Sequence, residues 1–359
     1  MSISNINSKK KVSIKKKEIS DMPNITNTIP TDNKTNKTFI EVCAGAGGLS
    51  SGLIKAGFVP LLLNDIDKNC CKTLEKNHPG SNIICDSLLN LDLSQYKGKV
   101  DLLANGSPCQ SYSLSGERKG LEDPRGELMI KFVKLIEAIE PKIFLIENVK
   151  GLLSHNNGKT IKNIITTLNR QQKYNVDYKL LNAVNYGVPQ KRERVFIIGC
   201  LKSKNIRFEY PLPDTSIITL GKALQNVPNS QGASYPDKKK TYFNLIPEGG
   251  CWVDLPEDKQ REYLMSSFNS KGGKRGILRR LSMNEPSLTL LCTPSQKQTE
   301  RCHPLEIRPL TIREYARIQT FPDDYIFTGS LTSQYKQIGN AVPVELANRI
   351  GLAIKKALQ

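Results

Sequence analysis

Metal-ligand patterns are missing from this chain of 359 residues: its three His (78, 155, 303) stand far apart, and its nine Cys include no CxxC pair. Neither a zinc site nor any other metal site is suggested, and an odd cysteine set with no framework spacing fits a reducing compartment. Long apolar runs are missing as well. No stretch approaches the roughly 20 uninterrupted apolar residues of a bilayer crossing, and the Lys-rich start lacks the apolar run of a secretory signal. Aromatic residues are few, 6% of the chain with a single Trp at 252, which is read as a core residue of a small domain. Acidic residues are in deficit: 34 Asp and Glu face 52 Lys and Arg, a net charge of +18. That balance points to a polyanionic partner and is silent on fold. Hydrophobic residues make up 38% of the chain, enough to expect folded structure.

Residues 1–37 carry eight Lys, six Asn and three acids without an aromatic residue, and are read as a disordered basic tail with too little apolar surface to offset the entropy of ordering. From Thr38 the texture changes to short apolar runs, Phe39–Cys43, Val59–Asn64, Ile83–Cys85, Val100–Ala104, Ile143–Ile146 and Val195–Cys200. Between them, 49–56, 69–77, 128–139 and 160–171 have helical spacing. The alternation predicts a doubly wound α/β domain with a parallel, Rossmann-like sheet. After about residue 201 it stops, and Pro, Gly, Lys and Arg become frequent. The expected organisation is a tail (1–37), a catalytic and cofactor-binding domain (38–200 plus 331–359) and a smaller irregular domain (201–330).

In such a sheet ligands sit at the carboxyl ends of the strands. The first run is followed by Ala44-Gly45-Ala46-Gly47-Gly48, a turn that suits backbone approach to a ligand at a helix N-terminus; it fits a plain structural turn, a dinucleotide site or an S-adenosylmethionine site. Asp65 ends the second run, 17 residues past Gly48, and is read as a ribose ligand. Asp86 follows the third and suits either an adenine amino group or a helix cap. After the fourth comes a loop rich in Gly and Ser in which Pro108 precedes Cys109, a placement that suits an exposed nucleophile. The fifth ends in Glu147-Asn148-Val149, where burial would raise a carboxyl pKa and let it act as an acid.

With these residues in place the chain resembles the DNA cytosine-5 methyltransferases of bacterial restriction-modification systems, in order from about residue 38 to 359 and least between 201 and 307. The matching stretches are Phe39–Gly52, Gly106–Gly116 with its Pro-Cys, Glu147-Asn148-Val149, Gln190–Val195, Arg308–Tyr325 and Gln337–Pro343. The resemblance implies a methyltransferase sheet using S-adenosylmethionine, held by Phe39, Cys43, Ala44, Gly45, Gly47, Gly48, Leu49, Asp65, Ile66, Asp86, Ser87, Pro108, Asn340, Ala341 and Val342. Two departures, Cys43 where the family usually has Phe and Ile66 where it often has an aromatic residue, make the adenine pocket less aromatic. The resemblance further implies that Cys109 adds to cytosine C6, Glu147 donates to N3 with support from Asn148, Arg194 holds O2, and Arg192 organises the Cys loop and a nearby phosphate.

The implied partner is double-stranded DNA with the target cytosine rotated out. DNA contacts are expected from Gln110, Ser113 and Ser115 beside the nucleophile and from Lys274, Arg275, Arg279 and Arg280 in a basic run, with Thr293–Arg301 as a second stretch. Residues 201–307 carry a net charge of +5. A cognate restriction endonuclease would share the site without a stable complex, and a monomer in the bacterial cytoplasm, associated with the nucleoid through DNA, is expected. The alternatives are an RNA (tRNA) cytosine-5 methyltransferase, disfavoured by the absence of a Cys-Phe-Thr tripeptide, and a nonenzymatic nucleic-acid binder, disfavoured by the intact Cys109, Glu147 and Arg194.

Overall fold

Apolar runs punctuated by Gly, Asn and Asp form the strands of a seven-stranded sheet in the order β3-β2-β1-β4-β5-β8-β6. A computed structural model of the chain describes residues 36–106, 124–170, 172–269, 276–297 and 300–359, of which the side chains of 124–126 are left aside. The basic tail through residue 35, the loop bearing Pro108, Cys109, Gln110, Ser113 and Ser115, and Lys274 and Arg275 lie outside the described residues. The elements of the sheet half are β1 (Lys37–Val42), α1 (Gly48–Lys55), β2 (Phe58–Asp65), α2 (Lys68–Asn77), β3 (Ile83–Cys85), β4 (Leu102–Asn105), α3 (Pro124–Ile139) and β5 (Ile143–Val149). They continue with α4 (Gly151–Ser154), α5 (Lys159–Asn169), β6 (Tyr174–Asn182), β7 (Gln190–Lys191) and β8 (Glu193–Leu201). Lys37, assigned to the tail from sequence, already belongs to β1.

Alternate residues of the strands feed two cores. Phe39, Leu63 and Leu102 pack with α1 and α11 (Val344–Ala357), whereas Ile40, Val42 and Leu103 pack with α3 and α5. A sheet buried on both faces explains the unbroken apolar runs. Helices α1 and α11 meet closely because Gly48 and Gly52 present no side chain: a methyl group on either would collide with the Val342 carbonyl or the Ala347 side chain.

The sheet is not wholly parallel. β5 and β6 both pair with β8 in antiparallel register, and β6 was not read from the sequence at all. Tyr174 and Leu181 near its ends are buried, but Asp177, Tyr178 and Lys179 are exposed in a row at the sheet edge, and the two charges interrupt the apolar pattern. The consequence is functional. An antiparallel β8 starts at the edge where β5 ends, so Val149 pairs with Arg194 and Glu147 with Phe196. A parallel β8 would have placed Arg194 at the opposite edge of the sheet.

The smaller half holds α6 (Leu220–Ala223), α7 (Asp237–Phe243), α8 (Glu257–Leu264), β9 (Ser287–Leu288), which pairs with β7, and α9 (Ile312–Ile318), after which α10 (Leu331–Asn340) leads back to α11. One apolar cluster gathers Tyr235, Phe243, Leu264 and Leu278, with Trp252 packed against it; another joins Leu290, Tyr315, Phe321 and Tyr335 to Ala46 and Ala341. Residues 36–359 form one compact unit. No helix among the described residues is long and apolar enough to cross a membrane.

Candidate active site

The strand order reverses between β1 and β4, and there the glycine-rich turn leaves β1. Cys43, Gly45 and Gly47 have φ of 54°, 56° and 81°. Such left-handed backbone is easy for the two glycines and strained for Cys43. The Ala44 amide donates to Asn64 O (2.8 Å), tying the turn to β2. The Gly45 amide donates to Asp65 Oδ2 and the Asp67 amide to Asp65 Oδ1, both at 2.8 Å. Asp65 thus splints the turn to the start of α2, and each oxygen keeps a second lone pair for a hydroxyl. Burial raises its pKa, against the lowering effect of the two amides. Ile66, 70% exposed, stands at the mouth. At the other end of the chain the turn before α11 closes the same place, with Val342 against Gly48.

Several assigned cofactor residues fall differently. Phe39 is fully buried edge-to-face against Phe58, about 7 Å down the strand from Glu41, and Leu49 points into the same core. Their side chains support the sheet and do not line the crevice. The exposed Asp86 spends Oδ1 on the Ser87 amide and on Asn90 Nδ2, and Ser87 caps the following turn by accepting from the Leu89 amide. Asn340 Oδ1 accepts from Cys292 Sγ at 2.9 Å.

Sequence reading overlooked Glu41, hidden inside the first apolar run. Its carboxyl is fully buried, accepts from Ser50 Oγ, and is pushed up to about 8 chiefly by burial, with the charges of Asp65 and Glu147 adding to the rise and Ser50 opposing it. Three carboxyl groups from three strands of the sheet therefore lie close enough for the other two charges to be felt at Glu41. The open space beside Gly45, where a Cβ would meet nothing within 4 Å, and the free lone pairs of Asp65 fit a nucleoside ligand such as S-adenosylmethionine.

Glu147 lies two residues before the end of β5, beside the start of β8, where Arg194 Nε reaches Glu147 Oε1 at 2.9 Å and Arg194 Nη1 donates to Glu193 O. Burial raises the Glu147 pKa, while Arg194 and Arg192 pull it down, and the net direction is upward. Asn148 is buried, and its Oδ1 accepts from the Val149 amide.

Arg192 requires a correction. It is 1% exposed and cannot reach a phosphate: Nη1 donates to Leu290 O, and Nη2 to Gly339 O and Ala341 O. Gln190 and Gln319, joined at 2.9 Å, complete this buried network, Gln190 accepting from the Leu290 amide and Gln319 donating to Ile338 O and Ala341 O. The Gln-x-Arg motif thus fastens the closing turn at 339–341 to the sheet.

The basic run is also less free than its charge suggests. Arg280 donates to the carbonyls of Pro304, Ile246 and Leu305, which engages its guanidinium as a brace of the smaller half. Arg279 Nη1 donates to Gly249 O. In the second stretch Glu300 and Arg301 are buried: Glu300 pairs with Lys239 and accepts from the Leu278 amide, and Arg301 donates to Thr289 O and Glu300 O.

The profile of the family described as "C-5 cytosine-specific DNA methylase" matches residues 37–356. Among curated relatives, Type II methyltransferase M.Eco47II of Escherichia coli is 48% identical over 88% of this chain and 78% of its own. Type II methyltransferase M.Sau96I of Staphylococcus aureus is 45% identical over 90% and 76%. The methyltransferase EhMeth of Entamoeba histolytica superposes with a TM-score of 0.66 over 91% of this chain and all of its own at 18% identity, a likeness of fold alone.

Proposed function

Since the chain belongs to the C-5 cytosine-specific DNA methylases, enzymes that use S-adenosylmethionine, we propose how its residues divide the reaction. Cytosine C5 is a weak nucleophile until a group adds at C6. Cys109 takes that role: its thiolate bonds to C6 while Glu147 gives its proton to N3, and the electron pair displaced from the ring makes C5 nucleophilic. The donor, when bound, supplies a methyl group activated on a sulfonium. Loss of the C5 proton then returns the pair and expels the Cys109 thiolate, and N3 gives its proton back to Glu147. Arg194 holds Glu147 in place and faces the O2 side of the ring, where negative charge gathers. Gly45, Gly47, Asp65 and Ile66 hold the donor, and Asp65 accepts from the ribose hydroxyls.

The observation that carries this reading is the Glu147–Arg194 pair at 2.9 Å, a buried acid and guanidinium from two antiparallel strands. Glu147 and Asp65 both lie near enough to Glu41 to raise its pKa. We assign residues 201–330 to target recognition, with Arg279 as the described residue of the basic run to test first, and residues 38–200 plus 331–359 to catalysis. Protection of host DNA beside a cognate endonuclease, a monomeric state and a cytoplasmic location complete the proposed reading. The test is bisulfite sequencing of DNA from cells expressing the chain. Conversion-resistant cytosines are expected at one short site and are expected to vanish in the Cys109→Ser variant; methylation confined to tRNA would refute the DNA assignment.

A further inference from the structure

One segment of chain joins the two walls of the crevice. Tyr325, 5% exposed, donates its hydroxyl proton to Ala46 O at 2.6 Å, and His78 Nε2 lies 3.3 Å from the Tyr325 hydroxyl oxygen. A phenol has one proton and a carbonyl only accepts, so His78 Nε2 must be the N–H partner. Burial lowers the His78 pKa to about 4, so the ring is neutral and this assigns its tautomer. The turn rests directly on this pair: a Cβ on Gly47 would stand 2.7 Å from the Tyr325 oxygen and 2.9 Å from His78 Nε2. Just beyond, the segment grips α2. Asn77 exchanges two hydrogen bonds with the Ile326 backbone at 2.8 Å, Thr73 Oγ1 accepts from the Thr328 amide at 3.0 Å, and Thr328 Oγ1 donates to Asn69 O at 2.9 Å. α2 begins three residues beyond Asp65, so both its placement and that of the turn are held by residues 325–328.

We propose that Tyr325 is a positioning residue for the methyl donor, its hydroxyl setting the height of the Ala46–Gly47 turn against α2. This rests on the reading of that turn as the donor site. The loss of the hydroxyl leaves the buried Ala46 carbonyl without its partner, and the turn relaxes where the ligand must meet its amides.

The test uses the full chain with Tyr325→Phe and Thr328→Val, the latter loosening the same segment from α2 without touching the phenol. Binding of S-adenosylhomocysteine is measured by calorimetry, and kcat, KM for the donor and KM for DNA in steady state. Tyr325→Phe is expected to weaken binding and raise donor KM about tenfold, the scale of one unmatched buried acceptor, with kcat at saturating donor and DNA KM within about twofold. Thr328→Val should shift the Kd in the same direction by roughly threefold, and decides the matter alone if Tyr325→Phe does not fold. An unchanged Kd with a lowered Tm overturns the proposal, since a purely structural role moves only Tm. Asp65→Ala separates the two failures: if it too leaves the Kd unchanged, the donor site itself has been misplaced; if it weakens binding and Tyr325→Phe does not, only the role of Tyr325 falls.

Discussion

Glu147→Gln is expected to lower kcat for methyl transfer by about 10²–10⁴, the usual contribution of a positioned proton donor, and to leave duplex binding intact. The amide matches the carboxyl in shape and its oxygen can still accept from Arg194 Nε, so the lesion removes a proton and little else. The wild-type pH dependence follows from the same geometry. Burial raises the Glu147 pKa above its ordinary value of 4.5; the protonated acid is the donor, so kcat should fall as pH rises through the raised pKa. In the Gln variant that limb should be absent. Single-turnover transfer of a labelled methyl group across pH measures both effects, and a Gln variant within tenfold of wild type would remove Glu147 from the chemistry.

The second large effect concerns stability. Arg192→Met keeps the volume of a long side chain and deletes donors to three buried carbonyls. Ala341 O retains Gln319 Nε2 at 3.2 Å, whereas no second side chain among the described residues donates to Leu290 O or Gly339 O. Bonds to a charged donor contribute about 1.5–3 kcal/mol each, so the loss should reach about 3 kcal/mol or more, a large part of a typical margin of about 5–15 kcal/mol. For a unit of this size that corresponds to a fall in Tm of roughly 5 °C. Calorimetric melting would measure it, and a Tm within a degree of wild type would show that the guanidinium's bonds merely replace what water supplies. Donor affinity should fall too, because Arg192 holds the turn at 339–341 that leads into Val342, packed on Gly48.

The parts of this site legible in the sequence are those where residue type alone carries chemistry: a glycine-rich turn after an apolar run, an acid at a strand end, Pro-Cys in a polar loop. The five inner strands could be read because burial leaves apolar runs, and the short edge strand β3 because Ile83–Cys85 is apolar throughout; β6, at the other edge, could not, since Asp177 and Lys179 break its pattern. Strand direction has no signature in composition, so the antiparallel entry of β8, which delivers Arg194 to Glu147, had to be seen. Charge misled at Arg192 and said nothing of the brace at Arg280. A guanidinium has five donors and can be satisfied by backbone carbonyls as well as by phosphates, and one-dimensional spacing does not say which. Glu41 escaped for the opposite reason: one acid within a strand does not interrupt the run that announces the strand.

The central claim is covalent catalysis by Cys109 assisted by Glu147, and the most direct measurement is a trapping experiment with duplex DNA carrying 5-fluorocytosine at the methylated site. Fluorine at C5 blocks the proton loss that releases the enzyme, so wild type with S-adenosylmethionine should form a denaturant-resistant protein–DNA adduct, mapped to Cys109 by peptide mass analysis. Cys109→Ser should form none while still binding the duplex. An adduct at another residue, or full methyl transfer to ordinary cytosine by Cys109→Ser, would contradict the account.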